Sequence, residues 1–325
     1  MASSSSSQVL ITGAAGFLGR HVAAYFARAG WQVLGIGNGR LSPDEQAEIG
    51  LARWLQSPIE AAALGTLFAE GGVPDVVVHA AGGASVRAAF EDPEADRRRT
   101  VGGTQSLLEA LRRWAPAARL VLPSSAAVYG NDHPNPIPED AQPAPISAYG
   151  RHKLEAEELC LAAARDHGQP LAIVRFFSLY GAGLRKQIFW DLWNKMAGGG
   201  RIVLGGTGDE TRDFLHVWDA AQLLFHLADH AKAHRPTIVN GGTGHATTIR
   251  DAARQLERAC ACDTEIVFDG HSRPGDPVDL VAAIDRLAAT GYRHRIHFAD
   301  GLADYAVWAA REGQAASAAP GSLPA

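Results

Sequence analysis

The chain has 325 residues and a mass of 34.4 kDa, with 46% hydrophobic and 20% charged residues. These ordinary globular values exclude a disordered or fibrous chain, and a chain of this length buries a core without disulfide or metal support. The net charge is −5 and no basic run extends beyond the three arginines at residues 97–99, so we expect no nucleic-acid partner.

The cysteine content and the start of the chain bear on its location. Cys160, Cys260 and Cys262 have no regular spacing, which excludes a disulfide framework and indicates a reducing compartment. Residues 1–7 lack the basic and apolar regions of a signal peptide, and no segment approaches the ~20 apolar residues that cross a bilayer. We therefore expect a cytoplasmic protein with no membrane partner and with disordered tails at residues 1–7 and 313–325.

Short apolar runs alternate with amphipathic segments along the first half of the chain. The runs are continuous and rich in β-branched residues, as in strands that are covered on both faces. Strands that alternate with helices predict a parallel, doubly wound α/β sheet. The predicted strands are residues 8–12, 32–36, 76–80, 119–122, 171–176 and 237–240, and the predicted helices are residues 17–29, 60–70, 100–114 and 148–167.

The helical pattern weakens after Phe176 and returns in two later segments. Residues 190–196 and the loop at 205–210 form a less regular layer, while residues 219–233 and 249–260 are helical again. We predict a Rossmann-type doubly wound core with a smaller C-terminal α/β substrate cap. The core is residues 8–176 with 217–244 returning to it, and the cap is residues 177–216 and 245–312.

The first predicted strand ends in a glycine turn that opens a helix. Residues 12–19 read Thr-Gly-Ala-Ala-Gly-Phe-Leu-Gly, with glycines at positions 13, 16 and 19. Glycines let the backbone approach a pyrophosphate, and the start of the helix supplies free N–H groups. The turn therefore predicts a dinucleotide site, the alternative being a tight strand-to-helix turn without a ligand.

The end of the second strand bears on which dinucleotide binds. An acidic residue at this point holds the adenosine ribose of NAD. Residues 35–40 read Gly-Ile-Gly-Asn-Gly-Arg and contain no acid. Arg40 can pair with a 2′-phosphate, so we place Asn38 and Arg40 in the cofactor site and favour NADP(H) over NAD. The alternative is that Arg40 is a solvated loop residue.

Tyr149 and Lys153 lie four residues apart at the start of a predicted helix and therefore share one face. The lysine charge, together with a nicotinamide ring, is expected to lower the pKa of Tyr149 toward neutrality and make it a proton donor or acceptor. Ser124 and Ser125 end an upstream strand. Side chains at the carboxyl edge of a parallel sheet face the ligand crevice, so a serine hydroxyl can reach the same substrate oxygen.

At these residues the chain resembles the extended short-chain dehydrogenase/reductase family, in its nucleotide-sugar epimerase/dehydratase branch. The resemblance covers residues 8–311, and its motifs occur in the family's order. The matching segments are residues 12–19, 79–81, 124–130, Tyr149 with Lys153, and residues 175–181, 212–217 and 273–276.

The resemblance implies a role for each residue of the reaction centre. Tyr149 is the acid/base, Lys153 binds the nicotinamide ribose and lowers the pKa of Tyr149, and Ser125 assists at the substrate oxygen. Ser124 is expected to hold backbone, and Tyr129 is not the base in the family pattern.

The resemblance also implies the ligand contacts. Arg212 and Arg273 hold the substrate diphosphate, because guanidinium forks match phosphate oxygens, and Asp276 holds the nucleotide ribose. Ser85 and Ser178 occupy substrate-contact positions. The implied dinucleotide contacts are Gly13, Gly16, Phe17, Leu18, Gly19, Ala80, Ala81, Tyr149, Lys153 and Phe176.

Departures from the family pattern narrow the reaction. Ala126 and Ala127 stand where the dehydratases have Asp-Glu, which argues against a dehydratase, and Thr100 replaces an asparagine at a ligand position. We expect NAD(P)-dependent hydride transfer at C4 of a nucleotide-activated sugar. A 4-ketoreductase is preferred, a 4-epimerase with tightly bound NAD is the alternative, and a non-catalytic NAD(P)-binding redox sensor is a remote one.

Two further expectations concern metals and assembly. His226, His230 and His234 recur at helical spacing but lack a carboxylate or cysteine motif, so we expect no metal site. The family forms dimers through a four-helix bundle, which implies a homodimer through the helices at 100–114 and 148–167. The alternative is that the leucines of these helices face the sheet; these leucines are Leu107, Leu108, Leu111, Leu154 and Leu161.

Overall fold

A computed structural model describes residues 7–271 and 279–318 of the chain. The strands are β1 Gln8–Thr12, β2 Gln32–Gly37, β3 Leu51–Gln56, β4 Val76–His79, β5 Arg119–Ser125, β6 Leu171–Phe176, β7 Ser178–Tyr180, β8 Ile202–Leu204, β9 Thr211–Arg212, β10 Phe214–His216, β11 Thr237–Gly241, β12 Thr247–Thr248, β13 Ile266–Phe268 and β14 Asp279–Leu280. The helices are α1 Phe17–Arg28, α2 Pro43–Glu48, α3 Ala61–Gly71, α4 Val86–Glu91, α5 Pro93–Arg97, α6 Gly103–Trp114, α7 Ala148–His167, α8 Gln187–Ala197, α9 Val217–Ala228, α10 Ile249–Ala259, α11 Asp285–Ala289 and α12 Phe298–Ala318.

A parallel sheet of seven strands forms the centre of the described chain, in the order β11-β6-β5-β4-β1-β2-β3. Its central strands are buried on both faces by helices, which is why their sequences are continuous apolar runs. The strand order reverses between β1 and β4, where the carboxyl ends of parallel strands open a ligand crevice. The predicted fold class, a Rossmann-type doubly wound sheet, is confirmed.

Two layers of helices cover the sheet. One apolar cluster lies between the sheet and helices α1 and α9, and a second lies between the sheet and helices α3, α6 and α7. A third cluster, built on helices α8, α10 and α12, holds together the smaller layer beyond β7. That layer contains the short pairs β13–β8 and β10–β7 and the three strands β12-β9-β14.

Several element boundaries differ from those predicted. Strand β3 was not predicted, because it is an edge strand with half its side chains exposed and lacks a continuous apolar run. Helix α6 begins at Gly103, after a π-helical turn at Arg98–Gly102. Helix α12 continues to Ala318, so residues 313–318 are helical rather than a disordered tail. Residues 1–6 and 319–325 of the predicted tails lie outside the described residues.

The predicted helix at 219–233 is shorter than expected, which changes the histidine spacing. Helix α9 ends at Ala228, so His230 and His234 follow it and do not extend one helical face. His226 Nε2 lies 3.1 Å from the Thr290 carbonyl oxygen, within hydrogen-bonding distance.

The leucines considered for a dimer interface are largely used within the monomer. Leu107 and Leu111 are fully buried against the sheet, and Leu108 and Leu161 pack at the edge of the same cluster. Leu154 packs against a separate cluster around Tyr129. The homodimer therefore stays a prediction that these leucines do not by themselves support. Across the described residues, no helix combines the length and apolar character that a membrane crossing requires.

A buried ion pair fastens α7 to the sheet. Arg175 on β6 donates from Nη2 to Glu157 Oε2 at 2.8 Å, and its Nη1 donates to the Glu139 carbonyl oxygen at 3.2 Å. The Arg175 and Glu157 side chains are 6% and 1% exposed, so neither charge is solvated by water. Removing one partner of such a pair leaves an uncompensated buried charge.

We therefore expect Glu157→Ala to lower the free energy of unfolding by about 3–5 kcal/mol. Asp166→Ala is the matched control, because Asp166 pairs with Arg165 on the exposed end of the same helix. Urea denaturation followed by circular dichroism measures both variants. Equal midpoints for Glu157→Ala and the unaltered chain would contradict the role of the ion pair.

Candidate active site

Two cavities meet at the carboxyl edge of the central sheet. The first, with a volume of about 910 Å³, runs from the glycine turn past the ends of β2 and β4 to α7. The second, with a volume of about 930 Å³, lies beside α8 and the loop after β8. Ala84, Tyr149, Lys186 and Gln187 line both cavities. Tyr149 therefore stands where they join.

The glycine turn packs directly on the end of β4. Gly13 has φ +70°, and a Cβ atom added there would lie 2.8 Å from the Ala81 backbone nitrogen. A Cβ atom on Gly19 would lie 2.1 Å from the Gly13 carbonyl oxygen. Gly16 precedes α1, and within the described chain no side chain caps that helix start. Its free N–H groups and positive dipole end suit a phosphate.

The first cavity is lined by most residues that the sequence assigned to the cofactor. The lining residues from that assignment are Gly13, Gly16, Phe17, Leu18, Gly19, Asn38, Ala80, Ala81, Tyr149, Lys153 and Phe176. Arg40 is exposed and, within the described part of the chain, does not line this cavity. Its proposed pairing with a 2′-phosphate is therefore without support from the structure.

Sequence reasoning missed part of the same cavity. Ser57, Pro58 and Ile59 line it after β3, and Arg98 and Arg99 line it from the π-helical turn. Of the first group, the family pattern points only to the position near Gln56 and Ser57, where an acidic pair is replaced. Pro58 and Ile59 were missed because the apolar pattern did not predict β3. The two arginines were noticed only as a short basic run. The signal that could have found them is their place just before Thr100, which occupies a ligand position in the family pattern.

The start of α7 holds the proposed acid/base. Ser147 caps this helix by accepting from the Gly150 backbone N–H at 3.0 Å. Lys153 lies one turn of the helix beyond Tyr149. Its Nζ atom donates to the Pro123 carbonyl oxygen at 3.2 Å and lies 5.9 Å from the centre of the Tyr149 ring. Ser125, at the end of β5, has a side chain that accepts from the Ala127 backbone N–H at 3.2 Å and lies close enough to Tyr149 to lower the pKa of that tyrosine. The structure thus brings Ser125, Tyr149 and Lys153 together.

Burial dominates the proton affinities of this group. It raises the pKa of Tyr149 to about 12, against the lowering effect of the Ser125 side chain, and the Asp96 carboxylate raises it further. Burial lowers the pKa of Lys153 to about 8, against the negative charges of Asp96 and Glu157. In the protein by itself the pKa of Tyr149 is therefore raised, the opposite of the lowered value expected beside Lys153 and a nicotinamide ring.

Two neighbouring residues are distinguished by their contacts. The prediction that Ser124 holds backbone is wrong: its Oγ atom is buried and has no hydrogen-bond partner within residues 7–271 and 279–318, although Ser124 lines the first cavity. Tyr129 is fully buried and donates from its hydroxyl to Asn240 Oδ1 at 2.7 Å. Its hydroxyl is therefore occupied within the core.

The predicted substrate residues fall into three groups. Ser85 and Arg212 line the second cavity, where Ser85 caps α4 and Arg212 Nη1 donates to the Thr211 carbonyl oxygen at 2.8 Å. Ser178 pairs in β7 and, among the described residues, lines neither cavity. Arg273 and Asp276 lie outside the described residues.

The second cavity also contains cations that the sequence did not single out. Arg87 and Arg185 line it, and Lys186 Nζ donates to the Ala84 carbonyl oxygen at 2.6 Å, between the two cavities. With Arg212, these side chains outnumber the two carboxylates of the described chain that line the cavity, those of Asp191 and Glu210, which gives it the character of an anion site. Arg87 and Arg185 also pair with Glu91 and Glu312. In the described part of the chain, no cluster of three or more His, Cys, Asp and Glu side chains is arranged to hold a metal ion.

Comparisons with known proteins agree with this architecture. Residues 9–242 match the model of the NAD dependent epimerase/dehydratase family. The chain is 31% identical over 304 residues to the UDP-glucose 4-epimerase of Azospirillum brasilense, which covers 87% of this chain and 85% of that protein. It is 30% identical over 277 residues to the GDP-6-deoxy-D-mannose reductase of Pseudomonas aeruginosa, and this match covers 81% of this chain and 83% of that protein.

A solved structure extends the comparison to three dimensions. The UDP-glucuronic acid 4-epimerase from Bacillus cereus, in complex with UDP-glucuronic acid and NAD, superposes with a TM-score of 0.83 at 25% identity. The match covers 94% of this chain and 99% of that one.

The contact between Gly13 and β4 yields a prediction. In Gly13→Ala the new methyl group meets the Ala80–Ala81 backbone, and the positive φ adds about 1–3 kcal/mol of strain. We expect this variant to lose dinucleotide binding in calorimetric titrations while it keeps its secondary structure. Gly198→Ala, at a helix end with negative φ, is the control and should bind normally. Unchanged affinity in Gly13→Ala would contradict the assigned site.

Proposed function

The chain belongs to the NAD dependent epimerase/dehydratase family, as an enzyme of the extended short-chain dehydrogenase/reductase type, and we propose that it is a nucleotide-sugar 4-epimerase with bound NAD. The observation that carries the proposal is the position of Tyr149, which lines both the dinucleotide cavity and the cationic cavity. The names of the relatives support an epimerase over the ketoreductase that the sequence favoured.

The residues present fit a nicotinamide dinucleotide. The glycine turn and the uncapped start of α1 suit its pyrophosphate, and the residues after β3 suit its adenosine end. Lys153 and Phe176 lie toward the opposite end of the cavity and suit its nicotinamide half. When bound, the dinucleotide accepts a hydride from the sugar carbon and returns it.

The chain's own residues handle the proton. Burial opposes the phenolate form of Tyr149, and the positive charges of Lys153 and of a bound nicotinamide ring would offset that effect. As phenolate, Tyr149 takes the proton from the sugar O4 hydroxyl as the carbon–hydrogen bond breaks. It returns that proton to O4 after the keto sugar has turned its other face to the dinucleotide. The Lys153 ammonium stabilises the phenolate, and the Ser125 hydroxyl donates to the same sugar oxygen. Because one proton leaves and one returns, the tyrosine regains its starting state in each turnover.

The cationic cavity is proposed to hold the diphosphate. Arg212, Arg87 and Arg185 line the second cavity, which joins the first at Tyr149, so a sugar that is bound at Tyr149 would extend its nucleotide half among them. An anchor there, remote from C4, lets the sugar ring rotate without releasing the molecule. Rotation of this kind is what an epimerase requires and a simple reductase does not.

A 4-ketoreductase that uses NADP(H) is the second candidate. The match to a GDP-6-deoxy-D-mannose reductase and the absence of an acid in residues 35–40 favour it. The two reactions differ in their hydride balance. An epimerase returns the same hydride to the same carbon, whereas a reductase consumes one reduced dinucleotide for each keto sugar.

The two candidates are separated by a nucleotide sugar that carries deuterium at C4. UDP-glucose and UDP-glucuronic acid, the ligands in the names of the relatives, are the first probes. We expect the purified protein, without added dinucleotide, to form the C4 epimer with the deuterium retained, as followed by proton NMR. Turnover that occurs only with added NADPH and a 4-keto substrate would contradict the epimerase and favour the reductase.

The assignment of the base has its own test. Tyr149→Phe should keep the fold and the dinucleotide but lose about 10²–10⁴-fold in kcat, the usual contribution of a general acid/base. Tyr129→Phe removes an equivalent hydroxyl from the core and should affect stability more than turnover. Near-normal turnover by Tyr149→Phe would remove Tyr149 from the mechanism.

A further inference from the structure

A buried pair of side chains lies behind the reaction centre and has no part in the mechanism above. His152, between Tyr149 and Lys153 in α7, donates from Nδ1 to Asp96 Oδ2 on α5 at 2.6 Å. The Asp96 side chain is 0% exposed and that of His152 is 10% exposed. A buried carboxylate is costly unless it is paired and hydrogen-bonded, so its presence here requires a reason.

The second oxygen of Asp96 faces the wall of the dinucleotide cavity. Asp96 Oδ1 is buried and has no hydrogen-bond partner within the described residues. It lies against Gly83, where an added Cβ atom would come within 1.9 Å of it. The Gly83 N–H cannot serve it, because this group donates to Thr100 Oγ1 at 2.7 Å. Within residues 7–271 and 279–318, the hydrogen bond from His152 is therefore the one that stabilises this carboxylate.

The carboxylate acts on both members of the reaction centre. Its negative charge raises the pKa of Lys153 and also that of Tyr149. It therefore favours the ammonium form of Lys153, which burial alone would disfavour, and it opposes the phenolate form of Tyr149.

Other charged groups near this pair either have partners of their own or face the dinucleotide cavity. On α7, Glu157 is held by Arg175, and Glu155 pairs with Arg97 of α5 at the surface. On α4, Arg87 pairs with Glu91 in solvent. His79 of β4 has a pKa lowered to about 3, chiefly by burial, and is therefore neutral. Arg98 and Arg99 of the π-helical turn face the dinucleotide cavity.

We propose that Asp96 and His152 are positioning residues, in which His152 holds the Asp96 carboxylate in place behind the Tyr149–Lys153 couple and the carboxylate controls when that couple gives up its proton. The proposal rests on Tyr149 as the base of the proposed function. Asp96 touches neither cavity directly, so it works through the charges of its neighbours. Because Asp96 opposes loss of a proton from either neighbour, removing its charge lets the couple lose its first proton at lower pH.

The direct test is the titration of Tyr149 in the full chain with NAD and without sugar. Tyrosinate absorbance is recorded against pH, and the same curve for Tyr149→Phe is subtracted to isolate Tyr149. Asp96→Asn, which keeps the side-chain shape, should lower the midpoint by about one pH unit, the scale expected for a nearby like charge. The acid limb of the kcat/KM profile should move in the same direction.

Variants of His152 supply the second arm. His152→Phe leaves the carboxylate without the donor that fixes it, so its effect on the couple is weakened and the Tyr149 midpoint should move toward that of Asp96→Asn. His152→Asn keeps an N–H donor near the Nδ1 position and should restore the original midpoint. Glu155→Gln breaks the exposed tie between the same two helices and is the matched control, with no shift expected.

The outcomes separate this proposal from the one on which it rests. An unchanged midpoint in Asp96→Asn and His152→Phe overturns the positioning role, even if Tyr149→Phe is inactive. A shift that Glu155→Gln reproduces also overturns it, because loosening α5 from α7 would then be sufficient. Normal turnover by Tyr149→Phe overturns the proposed base and leaves the titration result standing. If Asp96→Asn does not fold, the two His152 variants decide.

Discussion

The contact between the Gly13 backbone and the end of β4 is the constraint on which the rest of the site depends. The turn comes so close to Ala80 and Ala81 that no side chain fits between them. This closeness joins the start of α1 to the point where the strand order reverses, and it opens the first cavity along the carboxyl edge of the sheet. Every other functional residue is positioned relative to that edge.

Helix α7 carries the proposed reaction centre and fixes it to the core. Residues at successive turns of one helix lie on one side of it, so Tyr149, Lys153 and Glu157 share that side. The first two line the cavity, and the third is held by Arg175 in the sheet. A shift of the helix along its axis would break the buried ion pair, so the packing that stabilises the fold also holds the proton-transferring group in place.

The elements that were predicted best from the sequence are those whose burial requires a continuous apolar run. The features predicted least well are contacts between residues that are distant in the chain. Strands β1 and β6 were predicted to the residue, because full burial on both faces requires a continuous apolar run. Edge strand β3 has no such requirement, so the apolar pattern missed this strand together with Pro58 and Ile59, which follow it. The partnership of Asp96 with His152 joins positions 56 residues apart and has no local pattern. The residues at the end of β2 bear on the contact with the adenosine ribose and not on the reaction. They were therefore a poor basis for choosing between a reductase and an epimerase.

The two cavities are formed by different parts of the chain: the first mainly by the central sheet and its helices, and the second largely by loops. The proposed proton transfer uses residues of α7 and β5, which belong to the central sheet and its covering helices, where a change of residue disturbs packing. The cationic cavity is lined largely by loops and by α8, with Arg185 and Lys186 at the start of that helix and Arg212 in a two-residue strand. Loop residues can change without loss of the core. The motifs around Tyr149 therefore identify the chemistry closely, whereas the residues that would select the sugar and the base follow no pattern that one sequence reveals.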